Sequence, residues 1–491
     1  MHRIISNEHQ LLNDHDLRDT PDDNPDDTQM PDVHQPLSWY LLLVVILSGV
    51  GGLMFGYDTG VVAGVLVLIG DDLGKLSVTQ KEVISSITCL GALGGSLSAG
   101  FLADSYGRRT VIGWSCIAFV VSAVIMAGAG SYTVLVTGRL LVGVAVGAAS
   151  TVVPMYIAEV SPAHYRGRLV TINSLCTTGG QVVAYATGIA FTTVSGGWRY
   201  VLGLSGIPPL IFLLSMAAVP ESPRYLLLKD RVEDAEAVLR RLHGESYRAH
   251  IDSMLCGSKN SENPTVRQTL TQLFATRSNL RALIVACGLM ACQQLCGFNA
   301  FMYYSATMFA SVGFSDPIAV SMVVALTNFI FTWVALRYID SVGRRKLLLG
   351  TMWLMIVALV VTAIRFNSGG VIIVLSIILY VAAYAAALGN VPWQATEFLP
   401  LPVRSLGSMM VSATNWSCNF FVSASFLSLL ELITPRGTFL LFALITLIFY
   451  ICIYLFYPEA AGLSLEEITA IFETDSWLVF GKKYNAIPAS S

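Results

Sequence analysis

From residue 37 onward the chain is written in apolar runs of near 20 residues, each cut by a short polar turn. A helix needs about 20 apolar residues to cross a bilayer, whereas a barrel strand would show about 10 residues of alternating polarity. The pattern predicts twelve helical spans, over 40–69, 82–103, 111–130, 133–158, 168–193, 200–219, 282–312, 318–340, 347–366, 371–398, 405–430 and 437–457. The expected class is an all-α polytopic membrane protein.

Composition agrees. The chain is 54% hydrophobic and 12% charged, about half the ~25% charge of soluble domains. Residues 1–36 differ: nine acids stand against Arg3 and Arg18, among several prolines. That reads as a disordered acidic tail. It lacks the basic start and apolar core of a cleavable signal. Of the nine cysteines only Cys256 falls outside a predicted span, which suits buried thiols better than a disulfide framework. Cys287, Cys292 and Cys296 lie close together but match no metal spacing, so no metal is expected.

Charge sets the orientation. Lys and Arg concentrate in "DSYGRRT" (104–110), "HYRGR" (164–168), "DSVGRRK" (340–346) and the segment 221–281. The opposite loops carry only Lys75, Lys81, Arg199, Arg365 and Arg436. The positive-inside rule then places both termini and the central loop in the cytoplasm.

The chain also repeats itself. Pro154, Glu159, Pro162 and Arg166 recur as Pro392, Glu397, Pro400 and Arg404 with the same internal spacing. "ADSYGRRT" recurs as "IDSVGRRK", and "PES" at 220–222 as "PEA" at 458–460, all about 237 residues apart. This predicts two six-helix bundles of like orientation: residues 37–220 and 282–457, with a cytoplasmic linker of short helices at 221–281 and a cytoplasmic tail at 458–491.

The markers that carry this repeat resemble those of the major facilitator superfamily, whose "GRR" follows spans 2 and 8. "PESPRYLL" (220–227), "GRLLVGVAVG" (138–147) and "QQLCGFNAFMYYS" (293–305) resemble its sugar porter family. "GYDTGVVAG", "SATMFASVGF" and "GNVPWQATEFLPLPVRSLGSMM" look most like fungal proton-coupled myo-inositol transporters. The resemblance covers about residues 40–475. It implies a monomeric plasma-membrane symporter whose partners are a polyol or sugar, protons and the lipid bilayer. It implies neither a cofactor beyond the coupling proton nor a nucleic-acid partner.

Two intramembrane charges carry candidate chemistry. Asp58 is the only formally charged residue between Asp32 and Asp71, and Arg139 the only one between Arg109 and Glu159. A carboxylate in hydrocarbon costs roughly 2.5–3.5 kcal/mol even on the most lenient scale. A structural role, bonded to a neighbouring helix backbone, is one explanation. The matching depth of Arg139 favours another: an acid that gains and loses a proton as it pairs with and leaves the guanidinium. In proton-linked sugar porters the matching Asp and Arg are the coupling pair.

For substrate the uncharged polar and aromatic candidates are Gln181, Gln293, Gln294, Asn299, Tyr303, Asn328, Trp393, Asn415 and Trp416, with Asn390 beside Trp393 as an extra hydrogen-bonding group. Interhelical packing is the alternative for any one of them; together they match the family's sugar site. On a regular helix Gln293 and Asn299 would point about 120° apart, so Gly297 is expected to unwind span 7 between them. "GVAVG" (143–147) is expected to be close helix packing. A third set reads either as ordinary topogenic charge or as a bistable ion-pair gate between the halves that closes the inside when the carrier faces out: Asp104, Arg108, Arg109, Glu159, Arg166, Glu221 and Arg224, with Asp340, Arg344, Arg345, Glu397 and Arg404. The degenerate second "PES" copy leaves Glu459 without a clear role.

Rival classes are a proton-coupled hexose or pentose carrier, a facilitator or sensor on the same fold, and a membrane enzyme or ATP-driven pump. Asp58 argues against the facilitator and the short C-terminal tail against the sensor. The chain has no G-x-x-x-x-G-K-[ST], H-E-x-x-H or G-x-S-x-G, which argues against the enzyme.

Overall fold

The computed structural model describes residues 38–162, 165–244, 251, 266–366, 370–459 and 471–473. The acidic tail 1–36, most of the central loop around Cys256, the end of the C-terminal tail and the side chains of Arg166 and Asp340 lie outside the described residues.

Among the described residues there are twelve long helical segments. Those numbered here as spans 1 to 4 run Trp39–Leu68, Val78–Tyr106, Arg108–Ala127 and Tyr132–Val160. Spans 5 and 6 are Arg166–Ala190 and Gly197–Ala218. Spans 7 to 10 run Arg277–Val312, Pro317–Val342, Arg344–Arg365 and Val371–Phe398. Spans 11 and 12 are Leu401–Leu432 and Thr434–Phe456. Ten of these are long and apolar enough to cross a membrane by composition. Spans 5 and 11 are also long but carry many hydroxyl and amide side chains. Shorter helices at Pro223–Leu228, Val232–His243 and Val266–Ala275 lie between spans 6 and 7.

Local sequence explains the boundaries. Span 2 starts where Ser77 and Gln80 cap each other: the Gln80 N–H donates to Ser77 Oγ at 3.2 Å and the Ser77 N–H to Gln80 Oε1 at 2.9 Å. Spans 2 and 4 then approach backbone to backbone. A Cβ added at Gly143 would stand 2.2 Å from the Thr88 carbonyl oxygen, and one at Gly147 2.1 Å from that of Ala92. "GVAVG" is therefore a packing seam.

Packing repeats between the halves. Span 1 lies on 5, 2 on 4 and 3 on 6; correspondingly span 7 lies on 11, 8 on 10 and 9 on 12. Across the middle, span 2 meets 11, span 5 meets 8, and span 1 meets 7. The first two of these contacts are exchanged by the repeat, as a pseudo-two-fold arrangement requires. The end carrying the Gly107–Arg109 and Gly343–Arg345 turns is called the basic end below.

Span 1 is interrupted at Gly49 and span 6 at Ser205–Gly206, both in helical backbone, whereas spans 7 and 10 are broken more sharply. Span 7 stops at Leu295 and restarts at Phe298, with Gly297 at φ +91°, a conformation that penalises any residue with a Cβ. Span 10 passes through a π turn at Tyr384–Leu388, then a short helix Val391–Gln394 and a 3₁₀ turn at Ala395–Phe398. Such breaks face a protein interior or cavity rather than lipid, because their backbone polar groups need partners.

Candidate functional site

Asp58 and Arg139 meet. Span 1 presents the carboxylate and span 4 the guanidinium, and the two are 6% and 2% exposed. Arg139 Nη1 donates to Asp58 Oδ1, and Nη2 reaches Oδ2 at 3.5 Å. Arg139 Nε donates to the Ile84 carbonyl at 3.2 Å, which fixes the plane of the fork. Beside the guanidinium is a void lined by Val61, Val62, Val65, Ile84, Leu135 and Leu202, too small for a water molecule. With one neighbour of opposite charge and an apolar wall behind it, the pair has little besides each partner to balance its charge.

The polar candidates assemble into two networks and some outliers. In the first, Asn299 Nδ2 donates to Gln294 Oε1 at 2.6 Å, and Gln294 Nε2 donates to Asn415 Oδ1 at 2.6 Å. The break at Gly297 makes this possible, since it turns Asn299 back toward Gln294. Gln293 Nε2 meanwhile donates to the carbonyls of Leu388 and Gly389, at 3.2 and 2.9 Å, tying span 7 to the break in span 10. The second network crosses the halves: Asn328 Nδ2 donates to Gln181 Oε1 at 2.8 Å.

Trp416 is buried, packs edge-on against Phe55 of span 1 at 5.5 Å, and its indole Nε1 has no hydrogen-bond acceptor. A buried N–H without a partner is costly, and a ligand hydroxyl would satisfy it. Tyr303 joins neither network; its hydroxyl accepts from Asn419 Nδ2 at 3.4 Å. Trp393 sits on the short helix of span 10 and is 40% exposed. Asn390 is turned into its own span, where Nδ2 donates to the Ala385 carbonyl at 2.8 Å; its amide N–H is spent on backbone that the π turn leaves open.

The structure also brings in residues that the sequence reading passed over. The Tyr185 hydroxyl donates to the Met302 carbonyl at 2.7 Å and lies 3.0 Å from Ser305 Oγ, linking span 5 to the second helix of span 7. Tyr185 is one turn beyond Gln181, so helical spacing could have found it. Asn419, one turn beyond Asn415, follows the same rule.

In this conformation the charges at the basic end pair within each half. Arg108 binds Asp104 at 3.0 Å and Glu159 at 3.0 Å, and Glu159 also accepts from Ser222 Oγ. Arg344 binds Glu397 at 2.6 Å. Glu221 accepts from the Arg109 N–H at 3.1 Å, and Glu459 from those of Arg344 and Arg345 at 2.9 and 3.1 Å. Each carboxylate thereby caps the helix that starts at the first Arg of a GRR segment. Glu459 does in the second half what Glu221 does in the first, despite its degenerate surroundings. Arg404 Nε donates to the Leu399 carbonyl at 3.0 Å, and Arg224 is exposed. Among the described residues these ion pairs run within a half and not between halves. In this conformation the hydrogen bonds joining the halves lie from mid-depth toward the opposite end: Gln181–Asn328, Tyr185–Met302 and Glu82–Ser428.

Comparison with known proteins bears on what this arrangement does. A family model described as sugar (and other) transporter matches residues 44–472. Myo-inositol transporter 1 of Cryptococcus neoformans var. grubii is 43% identical over 464 residues, spanning 88% of this chain and 81% of the relative. Myo-inositol transporter 2 of Schizosaccharomyces pombe is 42% identical, spanning 90% and 83%. Among solved structures, the proton:xylose symporter XylE bound to 6-bromo-6-deoxy-D-glucose has a TM-score of 0.75 and 27% identity, covering 88% of this chain and 99% of that one. The inward open conformation of the xylose transporter XylE from E. coli has a TM-score of 0.76 at 25% identity, covering 88% and 100%.

Proposed function

The chain belongs to the sugar (and other) transporter family, with its major facilitator fold, and from that premise we propose that it imports myo-inositol by proton symport through alternating access. The observation that carries the coupling is the buried ion pair of Asp58 and Arg139. Similarity to two proteins named myo-inositol transporters, at 43% and 42% identity, supports the substrate. Similarity to a proton:xylose symporter supports the coupling ion.

Asp58 carries the proton and Arg139 sets its affinity by pairing or withdrawing. Gln181, Gln294, Asn299, Asn328 and Asn415 supply amide donors and acceptors to the ring hydroxyls, and the Trp416 indole N–H donates one more bond. Gln293 holds the broken spans 7 and 10 together. A polyol offers only hydroxyls, and amide groups pair with these in either direction. Substrate entry then replaces the amide–amide bonds that fill the site without it.

The basic end faces the cytoplasm, and the two six-helix halves, 37–220 and 282–457, rock about the site. In that orientation the present conformation is closed outside. The Asp104–Arg108–Glu159 and Arg344–Glu397 pairs re-form across the halves when the carrier faces out. The plasma membrane is the site of action. Uptake of radiolabelled myo-inositol in cells lacking their own carrier, with glucose and xylose as competitors, tests the reading. Saturable inositol uptake with weak competition is expected. Glucose as the better substrate would replace inositol with the hexose alternative.

A further inference from the structure

Glu82 is, with Asp58 and Glu159, one of three buried acids among the described residues; it lies seven residues from Cys89 on span 2, and the proposed transport cycle has so far given it no task. It lies near the end opposite the basic turns, is 3% exposed, and belongs to none of the ion pairs among the described residues. Both carboxylate oxygens reach across to the other half. Oε1 accepts from the Ser428 backbone N–H at 2.7 Å and Oε2 from the Ser428 hydroxyl at 2.7 Å. The N–H is an unusual donor, because Ser428 lies inside span 11, where a regular helix would commit it to the carbonyl four residues back.

The surroundings are a seal. The Tyr304 hydroxyl donates to the Ser423 carbonyl at 2.8 Å, and its ring stacks on Phe426 at 5.5 Å. Phe426 in turn lies over Phe442 at 6.0 Å. Tyr185 closes the same level from span 5. A carboxylate buried among such groups is tolerable only while hydrogen bonds replace its water. Here those bonds come entirely from the other half, so they exist only while the two halves touch. When the halves part at this end, the carboxylate returns to water.

We propose that Glu82 and Ser428 form a latch that holds this end shut, making Glu82 a positioning residue for alternating access. The inference rests on the transporter reading above but not on its substrate. Charge-assisted hydrogen bonds are the stronger kind, and loss of one shifts a two-state balance by about tenfold or more. Removing the latch therefore moves the carrier toward the state open at this end.

Cys89 is a built-in reporter. It is two turns below Glu82 on the same face of span 2 and 1% exposed. The full-length protein in oriented membranes is treated with a membrane-impermeant maleimide from the Glu82 side, and modification is mapped by mass spectrometry. Cys116, buried within the first half, is the internal control. Ser428→Ala, which removes one bond, should raise the Cys89 labelling rate by about tenfold, and Glu82→Ala, which removes both, by more, with Cys116 unchanged. The double variant should add little to Glu82→Ala, since both act through one contact. Glu82→Gln, which keeps the size and one acceptor, should fall between and serves if Glu82→Ala does not reach the membrane. Labelling of Cys89 at the parental rate in Glu82→Gln and Ser428→Ala, or equal increases at Cys116, overturns the latch. Failure of the parent to transport inositol would instead strike the substrate reading and leave this result standing.

Discussion

Replacing Asp58 by Asn removes one negative charge and almost no volume, and the structure states what is left behind. Arg139 would keep its Nε bond to Ile84 and could still donate one N–H to the new amide oxygen, but its charge would be buried without a counter-charge. Breaking a buried pair on one side costs about 3–5 kcal/mol; the retained amide contact puts the expectation near the lower figure. The variant should therefore melt at lower temperature yet remain folded. Transport should split. A proton crossing 100 mV supplies about 2.3 kcal/mol, which at 1.4 kcal/mol per decade supports roughly fortyfold accumulation of a neutral substrate. Asp58→Asn should accumulate none, while exchange of labelled for unlabelled inositol persists. Arg139→Lys should also be poorly tolerated, since an ammonium cannot form the planar two-point contact. The assay is accumulation ratio against counterflow in energised vesicles. Accumulation by Asp58→Asn equal to the parent's would refute the assignment and send the proton elsewhere.

Other consequences follow from the same geometry. Gly297→Ala places a Cβ 2.9 Å from Phe442 Cδ1 at a positive φ, a strain of about 1–3 kcal/mol; apparent inositol affinity, measured by uptake kinetics, should fall about tenfold or more, and unchanged affinity would detach the break from the site. Glu459→Gln weakens the cap under Arg344 and Arg345, and a lower thermal midpoint matching that of Glu221→Gln is expected from the repeat. Glu397→Gln should favour the state open at the basic end, read as faster thiol labelling of cysteines engineered into that vestibule; unchanged labelling with normal transport would remove the residue from the gate.

Much of this was legible because membrane helices announce themselves by length and apolarity. All twelve predicted spans have a helix on them, displaced by a few residues at their ends where caps such as Ser77 decide the start. The break at Gly297 was legible because Gln293 and Asn299 could not serve one site on a straight helix. Pairing was less so. The gate charges were expected to pair across the halves when the carrier faces out; in the present conformation Arg108 pairs with Glu159 inside one half, since a sequence repeat fixes spacing and not which conformation is observed. Glu82 was overlooked for a related reason. It lies at the predicted edge of span 2, where a charge reads as interfacial, and only the approach of span 11 buries it. Trp393 was grouped with the other aromatic candidates, whereas the break in span 10 leaves it partly exposed.

Inositol and a proton are proposed to cross together on this chain. Purified protein in liposomes holding a trapped pH dye, with no pH gradient and the membrane potential clamped at zero, tests it most directly. Adding an inward myo-inositol gradient should carry protons in, acidifying the lumen and alkalinising a weakly buffered exterior. The response should saturate with substrate, disappear with a protonophore and be absent in Asp58→Asn. Inositol entering without any proton movement would contradict the account and leave a facilitator on the same fold.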